Sequence, residues 1–143
     1  MYLQPRLIAL VLVGGTIGVA VREGLVLAFP YSGIPWLITV INIIGAFLLG
    51  LILELLPRFG DDTGGRCAFR LFAGTGVMGG FTTYSALATD TARLSAEGLT
   101  ADGISYAVVS VVSGIVAAGA GMIAARGVRS APHHEVTDGD DAR

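Results

Sequence analysis

The polar side chains that could do chemistry near the middle of the apolar segments are uncharged. Asn42 stands inside one such segment, and the hydroxyl run Thr82–Ser85 directly follows a glycine-rich stretch in another. A third group has the spacing i, i+4 and i+7, which puts three hydroxyls on one helix face: Tyr106, Ser110 and Ser113. Amide and hydroxyl hydrogens donate hydrogen bonds, and aromatic ring edges carry positive partial charge. Donors without fixed charge suit a small anion that must lose its water and still leave quickly.

Each of these groups also has a purely structural interpretation. An amide at bilayer depth is costly unless it is paired, so Asn42 is either a helix–helix hydrogen-bond partner or a donor in a pathway. The hydroxyls of the row can instead bond to carbonyls of the preceding helical turn. Four glycines of the third segment cost roughly 1 kcal/mol each in a helix interior. They indicate either close helix packing or an interrupted helix whose freed carbonyls face an ion, and the hydroxyls that follow favour the ion site: Gly74, Gly76, Gly79 and Gly80.

The sequence contains no recognisable catalytic constellation, so we do not expect an enzyme. His133 and His134 lie in the polar C-terminal stretch, and the single Cys67 has no His or Cys partner at metal-ligand spacing. All nine basic residues are arginines, and no basic patch with interleaved aromatics supports nucleic-acid binding. Glu23 and Glu54 fall near span ends, which argues against a proton-coupled exporter because that class needs a carboxylate within the membrane.

The segments that must position these groups are hydrophobic enough to lie in a membrane. The chain is 53% hydrophobic and only 14% charged, whereas soluble domains carry about 25% charged residues. The third segment is too long for one straight span, which fits a helix interrupted in its middle. We therefore predict an all-α integral membrane fold of four transmembrane helices with a broken third helix. The predicted spans are about 5–29, 34–56, 66–94 and 102–125. They form a four-helix transmembrane domain, 1–129, which is followed by a polar disordered tail, 130–143.

The arginines are distributed unevenly between the two ends of the predicted helices. An even number of spans puts both termini on one side, and that side collects most of the arginines, among them Arg6, Arg58, Arg66, Arg70, Arg126 and Arg129. The other side has Arg93 and Arg22, which we interpret as an interfacial anchor in a local ion pair with Glu23. The positive-inside rule then predicts a multi-pass protein of the cell membrane with cytoplasmic termini.

Three motifs together resemble those of the Fluc (CrcB-type) fluoride channels, and the similarity covers all four spans. They are Gly14-Gly15-x-x-Gly18-x-x-x-Arg22 in the first span, Asn42-x-x-Gly45-Ala46-Phe47 in the second and Gly79-Gly80-Phe81-Thr82-Thr83-Tyr84-Ser85 in the third. The resemblance implies an antiparallel dimer in membrane lipid, with two passive pores that let the cell shed toxic fluoride.

The resemblance also implies roles for individual residues of this chain. It implies a fluoride pathway built from Asn42 and from side chains of the third and fourth spans: Thr83, Tyr84, Ser85, Leu87, Tyr106 and Ser110. It implies, in addition, a structural Na⁺ at the dimer centre, held by backbone carbonyls of Gly79 and Thr82. Crossing helix breaks fit such a role because freed carbonyls favour a cation.

Two features depart from the family pattern. The family motif T-T-F-S-T-F turns two phenylalanine edges toward fluoride, whereas this chain has Tyr84 and Leu87, and leucine has no ring quadrupole. The uneven arginines also fit poorly with a subunit that inserts in both orientations. Both features favour a heterodimer with an oppositely oriented homologue over a homodimer. The alternatives are a small multidrug-type four-span transporter and a non-conducting partner subunit.

Overall fold

Two long helices form the first half of the molecule. The computed structural model describes residues 4–30 and 33–127, and every regular element within these ranges is helical. Helix α1 spans Pro5–Ala28 and begins with a proline, whose missing N–H costs no hydrogen bond in the first turn. Helix α2 spans Trp36–Leu55 and continues as a 3₁₀ turn, Leu56–Phe59.

The third segment is helical on both sides of one interruption. It begins with α3 (Gly64–Phe69), a π-helix (Arg70–Met78) and α4 (Gly79–Phe81), which follow one another without a gap. Thr82 and Thr83 are then extended, with ψ of 153° and 116°. Two further helices complete the described chain: α5 (Tyr84–Ala96) and α6 (Thr100–Arg126). The tail predicted for 130–143 lies outside the described residues.

In the part of the chain that the structure describes, three helical stretches are long and apolar enough to cross a membrane: Pro5–Ala28, Trp36–Phe59 and Thr100–Arg126. Much of their apolar surface faces outward; Leu12, for example, is 65% exposed and Ile115 is 68% exposed. A surface of this kind is favourable in lipid or against another subunit, because water does not contact it there. The prediction of an all-helical fold with apolar spans is therefore confirmed.

Three of the predicted helix starts differ from the observed ones by two residues; the third segment, for example, begins at Gly64 rather than at 66. Helix α2 begins at Trp36 rather than at 34, since a residue that precedes a proline avoids the helical conformation and Pro35 follows Ile34. Helix α6 begins at Thr100 rather than at 102. Asp102 therefore lies in its first turn, where a carboxylate interacts favourably with the helix dipole.

Helix α1 packs backbone to backbone against the third segment because both present glycines. A Cβ placed on Gly14 or on Gly18 would overlap carbonyl oxygens of the π-helix. In the opposite direction, a Cβ on Gly80 would overlap the Gly15 carbonyl oxygen, and one on Gly76 would lie 3.0 Å from the Gly14 Cα atom. Gly14 and Gly18 therefore form a small-residue packing face on α1.

The interruption falls within the predicted stretch but after its glycines. All four glycines are helical, so none of them is itself the break. Close packing explains Gly76 and Gly80, which contact α1, whereas nothing lies within 4 Å of a Cβ placed on Gly79. Gly76 and Gly80 thus lie in a packed environment, whereas Gly79 lies in an open one.

Helices α2 and α6 form the second close pair. A Cβ on Gly50 would overlap the Ala118 carbonyl oxygen, and one on Gly121 would overlap that of Phe47. At one end of the pair, an ionic cluster joins the two helices: Glu54 lies 3.0 Å from Arg58 and 3.2 Å from Arg126. At the opposite end, Arg93 on α5 donates to the Gly33 carbonyl oxygen in the α1–α2 link.

Candidate functional site

Asn42 on α2 holds the interrupted backbone of the third segment through two hydrogen bonds. Its Oδ1 accepts from the Thr83 N–H at 2.8 Å, and its Nδ2 donates to the Thr83 carbonyl oxygen at 3.2 Å. The pair satisfies both polar backbone groups of a residue that lies outside any helix, which an apolar surrounding requires. An amide NH₂ has two hydrogens. One hydrogen of the Asn42 side-chain amide is therefore not used in the bonds to Thr83.

The same interruption releases the Gly79 and Thr82 carbonyls from the helical ladder. In an α-helix the Gly79 carbonyl would accept from the Thr83 N–H, which here donates to Asn42. The Thr82 carbonyl would accept from the Ala86 N–H, which here donates to the Thr83 hydroxyl at 3.1 Å as the N-cap of α5. These are the two carbonyls that the motif suggested as cation ligands.

An open groove of about 370 Å³ runs beside the interruption, between α2, the third segment and α6. We call it the central groove. It is lined by five of the seven side chains predicted for the pathway: Asn42, Thr83, Tyr84, Leu87 and Ser110. Of the other two, Ser85 is exposed beside the groove, with its hydroxyl 3.1 Å from that of Thr83.

The hydroxyl row on α6 divides into three environments. Ser110 is buried, and its hydroxyl lies 2.6 Å from that of Thr39 on α2. Ser113 donates to the Val109 carbonyl oxygen at 2.5 Å, so the back-bonding interpretation is confirmed for this residue. Tyr106 is 1% exposed and lies edge-on to the Trp36 ring, with 6.2 Å between centroids. Only Ser110 of the row lines the central groove.

The two positions that depart from the family motif lie in opposite environments. The Tyr84 side chain is 79% exposed at the start of α5, whereas Leu87 is 5% exposed. Leu87 packs in a buried cluster with Leu94 and Tyr106, against which Ile34 also lies. Position 87 is thus a core position that touches the groove with one side, while Tyr84 projects from the subunit.

Arg22, predicted as an anchor, forms the predicted local ion pair. Its Nη1 lies 3.1 Å from the Glu23 carboxylate near the end of α1. The guanidinium is more enclosed than its partner, and its Nε is buried without a hydrogen-bond acceptor among residues 4–30 and 33–127. Arg22 does not line the central groove.

Two buried polar side chains to which the sequence pattern assigned no role lie in the same region. Thr39 bonds Ser110, and its position three residues before Asn42 on α2 is the signal that places both on one helix face. Asp90 on α5 is buried, and its Oδ1 lies 3.9 Å from Arg93 Nε. Its burial depends on packing against other helices, which the sequence of α5 alone does not reveal.

The chemistry that this arrangement offers is hydrogen-bond donation in an apolar setting. In the central groove the polar lining consists of an amide, hydroxyls and one phenol. Within the described part of the chain, no group of three or more His, Cys, Asp or Glu side chains lies close enough to hold a metal ion. The backbone carbonyl oxygens of Gly79 and Thr82 at the interruption are further polar groups, and they act only as acceptors.

Comparison with known proteins gives a consistent result. A family model described as CrcB-like protein, Camphor Resistance (CrcB), matches residues 9–122. The chain is 48% identical over 131 residues to fluoride-specific ion channel FluC 2 of Leifsonia xyli subsp. xyli, covering 90% of each chain. It is 43% identical over 117 residues to fluoride-specific ion channel FluC 1 of Cutibacterium acnes, covering 80% of this chain and 82% of that one. It is 41% identical over 122 residues to FluC of Mesorhizobium japonicum, covering 82% and 94%. The chain therefore belongs to the CrcB family.

Proposed function

We propose that this protein is a subunit of a fluoride-selective channel that passively exports fluoride across the cell membrane and so limits its toxicity. The observation that carries the proposal is the Asn42–Thr83 pair. These two hydrogen bonds stabilise the helix interruption beside the central groove, and they leave one hydrogen of the Asn42 amide unused. The names of the similar proteins support fluoride as the ion.

Uncharged donors explain how such a site admits a small anion without trapping it. A permeant ion must be bound strongly enough to lose water and weakly enough to leave. Ser110 lines the groove and shares one hydrogen bond with Thr39, so when Thr39 donates in that bond the Ser110 hydroxyl hydrogen can bind a passing anion. The exposed ring of Tyr84 adds an edge with positive partial charge.

The proposed assembly has four crossings per subunit, with the interrupted segment as the third, and two subunits in opposite orientation. Cytoplasmic termini are supported by Arg58 and Arg126 at one end of the α2–α6 pair, against Arg93 at the other. An oriented subunit needs an oppositely oriented partner. Because Leu87 fills the core of its own subunit and supplies no ring, a homologous partner is favoured over a second copy.

A structural Na⁺ at the dimer centre is part of the proposal. The released carbonyls of Gly79 and Thr82 would hold it, because carbonyl oxygens suit a cation that has lost its water. When bound, the ion would supply fixed positive charge that joins the two interruptions. Gly79 has open space around it within its own subunit, which leaves room for a partner to approach.

Gly79→Ala tests the sodium site. The subunit should tolerate the methyl group, since Gly79 is helical and nothing lies within 4 Å of its Cβ position, and helix propensity should gain up to about 1 kcal/mol. At a dimer centre the same methyl group would meet the partner. We therefore expect the variant to lose the rise in dimer unfolding temperature that Na⁺ gives the wild type over N-methylglucamine.

The matched control is Gly24→Ala on α1, which also has open space around it and lies far along the chain from the interruption. This variant should keep the wild-type response to Na⁺. An unchanged response in Gly79→Ala would contradict the assignment of this carbonyl to the ion.

Fluoride efflux from liposomes tests the function itself. The purified protein should release fluoride and retain chloride, either alone or after co-reconstitution with an oppositely oriented homologue. Flux that requires the homologue would support the heterodimer, and full flux from the protein alone would contradict it. No fluoride-selective flux in either preparation would overturn the proposed function.

A further inference from the structure

A second groove continues from the central groove toward one end of the molecule. It has a volume of about 260 Å³ and lies between α2 and the third segment. The two grooves share Leu49 and Thr82 as lining residues, so they are adjacent. We call the second one the end groove.

The linings of the two grooves follow one face of each helical segment. The lining residues on α2 are Asn42, Ala46, Leu49 and Leu53. Successive members are four, three and four residues apart, which is the spacing of a single helix face. On the third segment the end groove is lined by Thr82, Met78 and Gly74, and it ends at Arg70. At 1.5 Å per residue, the α2 face extends about 16 Å. The grooves thus form one trough.

Among residues 4–30 and 33–127, Arg70 is the only one that lines either groove and carries a formal charge. It lies near the end of α2, since Leu53 lines the same groove and α2 finishes at Leu55, and its side chain is about one-third exposed. Its Nε donates to Asp62 Oδ2 at 2.8 Å, and its Nη2 lies 2.7 Å from the same oxygen. A guanidinium has five donor hydrogens, so several remain for another anion.

We propose that Arg70 is the anion-attracting residue at the mouth of the ion pathway, and that Asp62 sets how much of its charge reaches the groove. This inference rests on the proposed function. A guanidinium stays charged at any physiological pH, and a groove with apolar walls focuses its field, which raises the local concentration of anions. Asp62 binds the Arg70 guanidinium in an exposed ion pair, and such a pair is weak enough to break and re-form. Fluoride approaching from this end therefore competes with Asp62 for Arg70.

Fluoride efflux as a function of ionic strength tests this role. Arg70→Gln should reduce the flux about threefold to tenfold at about 10 mM ionic strength, where the screening length is about 30 Å, and by less than about twofold near 1 M, where it is about 3 Å. Arg70→Lys keeps the charge and should retain most of the flux. Asp62→Asn frees Arg70 and should raise the low-salt flux about twofold.

Arg66→Gln is the matched control. Arg66 lies at the same end and donates to the Asp61 carbonyl oxygen, but it does not line the end groove, so its loss should reduce the low-salt flux much less than the loss of Arg70. Equal losses in Arg70→Gln and Arg70→Lys, or a loss in Arg70→Gln that is independent of salt, would overturn the proposal in favour of a structural role. If Arg70→Gln does not fold, a low-salt flux in Asp62→Asn at or below that of the wild type overturns it equally well. A wild type without fluoride flux would instead contradict the proposed function.

Discussion

Asn42→Asp is expected to reduce fluoride flux by about 100-fold to 1,000-fold while the protein still folds. The new carboxylate has the shape of the amide, and it can still accept from the Thr83 N–H, now 2.8 Å from Asn42 Oδ1. It places a negative charge on the wall of the central groove. Two like charges about 4 Å apart repel by about 4 kcal/mol at an effective dielectric constant near 20, which corresponds to about three orders of magnitude in rate.

Liposome efflux measures this effect, and two further variants separate its causes. Asn42→Ala removes both hydrogen bonds to Thr83 without adding charge, so it reports what the support of the interruption contributes. Thr100→Asp adds a carboxylate at the exposed start of α6, outside either groove, and should leave the flux unchanged. Wild-type flux in Asn42→Asp would place the fluoride pathway elsewhere in the molecule.

The features that were predictable from sequence are those that depend on neighbouring residues. Long apolar runs predicted membrane-spanning helices, and Gly14 and Gly18 have the four-residue spacing that is typical of the packing face they form. The ion pair of Arg22 with Glu23 joins adjacent residues and was predicted for that reason. In each case the physical cause lies within one or two helical turns.

The features that were not predictable depend on residues that are far apart along the chain. The interruption occurs at Thr82 and Thr83 because Asn42, 41 residues earlier, accepts the N–H that would have continued the helix. The bond between Thr39 and Ser110 joins residues separated by 71 positions. Burial of Leu87 likewise follows from its packing against α6 rather than from any property of α5.

The same limit applies to the glycines, since a sequence does not say which of them faces a neighbouring helix. Gly114, Gly119 and Gly121 all lie on α6, and nothing is within 4 Å of a Cβ placed on either of the first two. A Cβ on Gly121 would instead overlap the Phe47 carbonyl oxygen and would lie 2.9 Å from the Leu51 amide nitrogen. One helix thus carries glycines with opposite tolerance to a methyl group.

Gly121→Ala is therefore expected to destabilise the subunit by about 2–3 kcal/mol, because the atoms it meets are backbone and cannot rotate away. Gly119→Ala, two residues earlier on the same helix, should be neutral or should stabilise by up to about 1 kcal/mol through helix propensity. The two variants add the same methyl group to the same helix. The difference between them isolates the contact between α2 and α6.

The single tryptophan allows this contact to be measured directly. Trp36 on α2 lies 6.2 Å from the Tyr106 ring on α6, so its fluorescence responds to the separation of the two helices. In detergent, Gly121→Ala should shift the Trp36 emission and lower the unfolding temperature, whereas Gly119→Ala should retain both wild-type values. Equal unfolding temperatures in the two variants would mean that α2 and α6 do not approach closely at Gly121. The position of Asn42 relative to Ser110 would then also have to be different, since the same pair of helices brings them together.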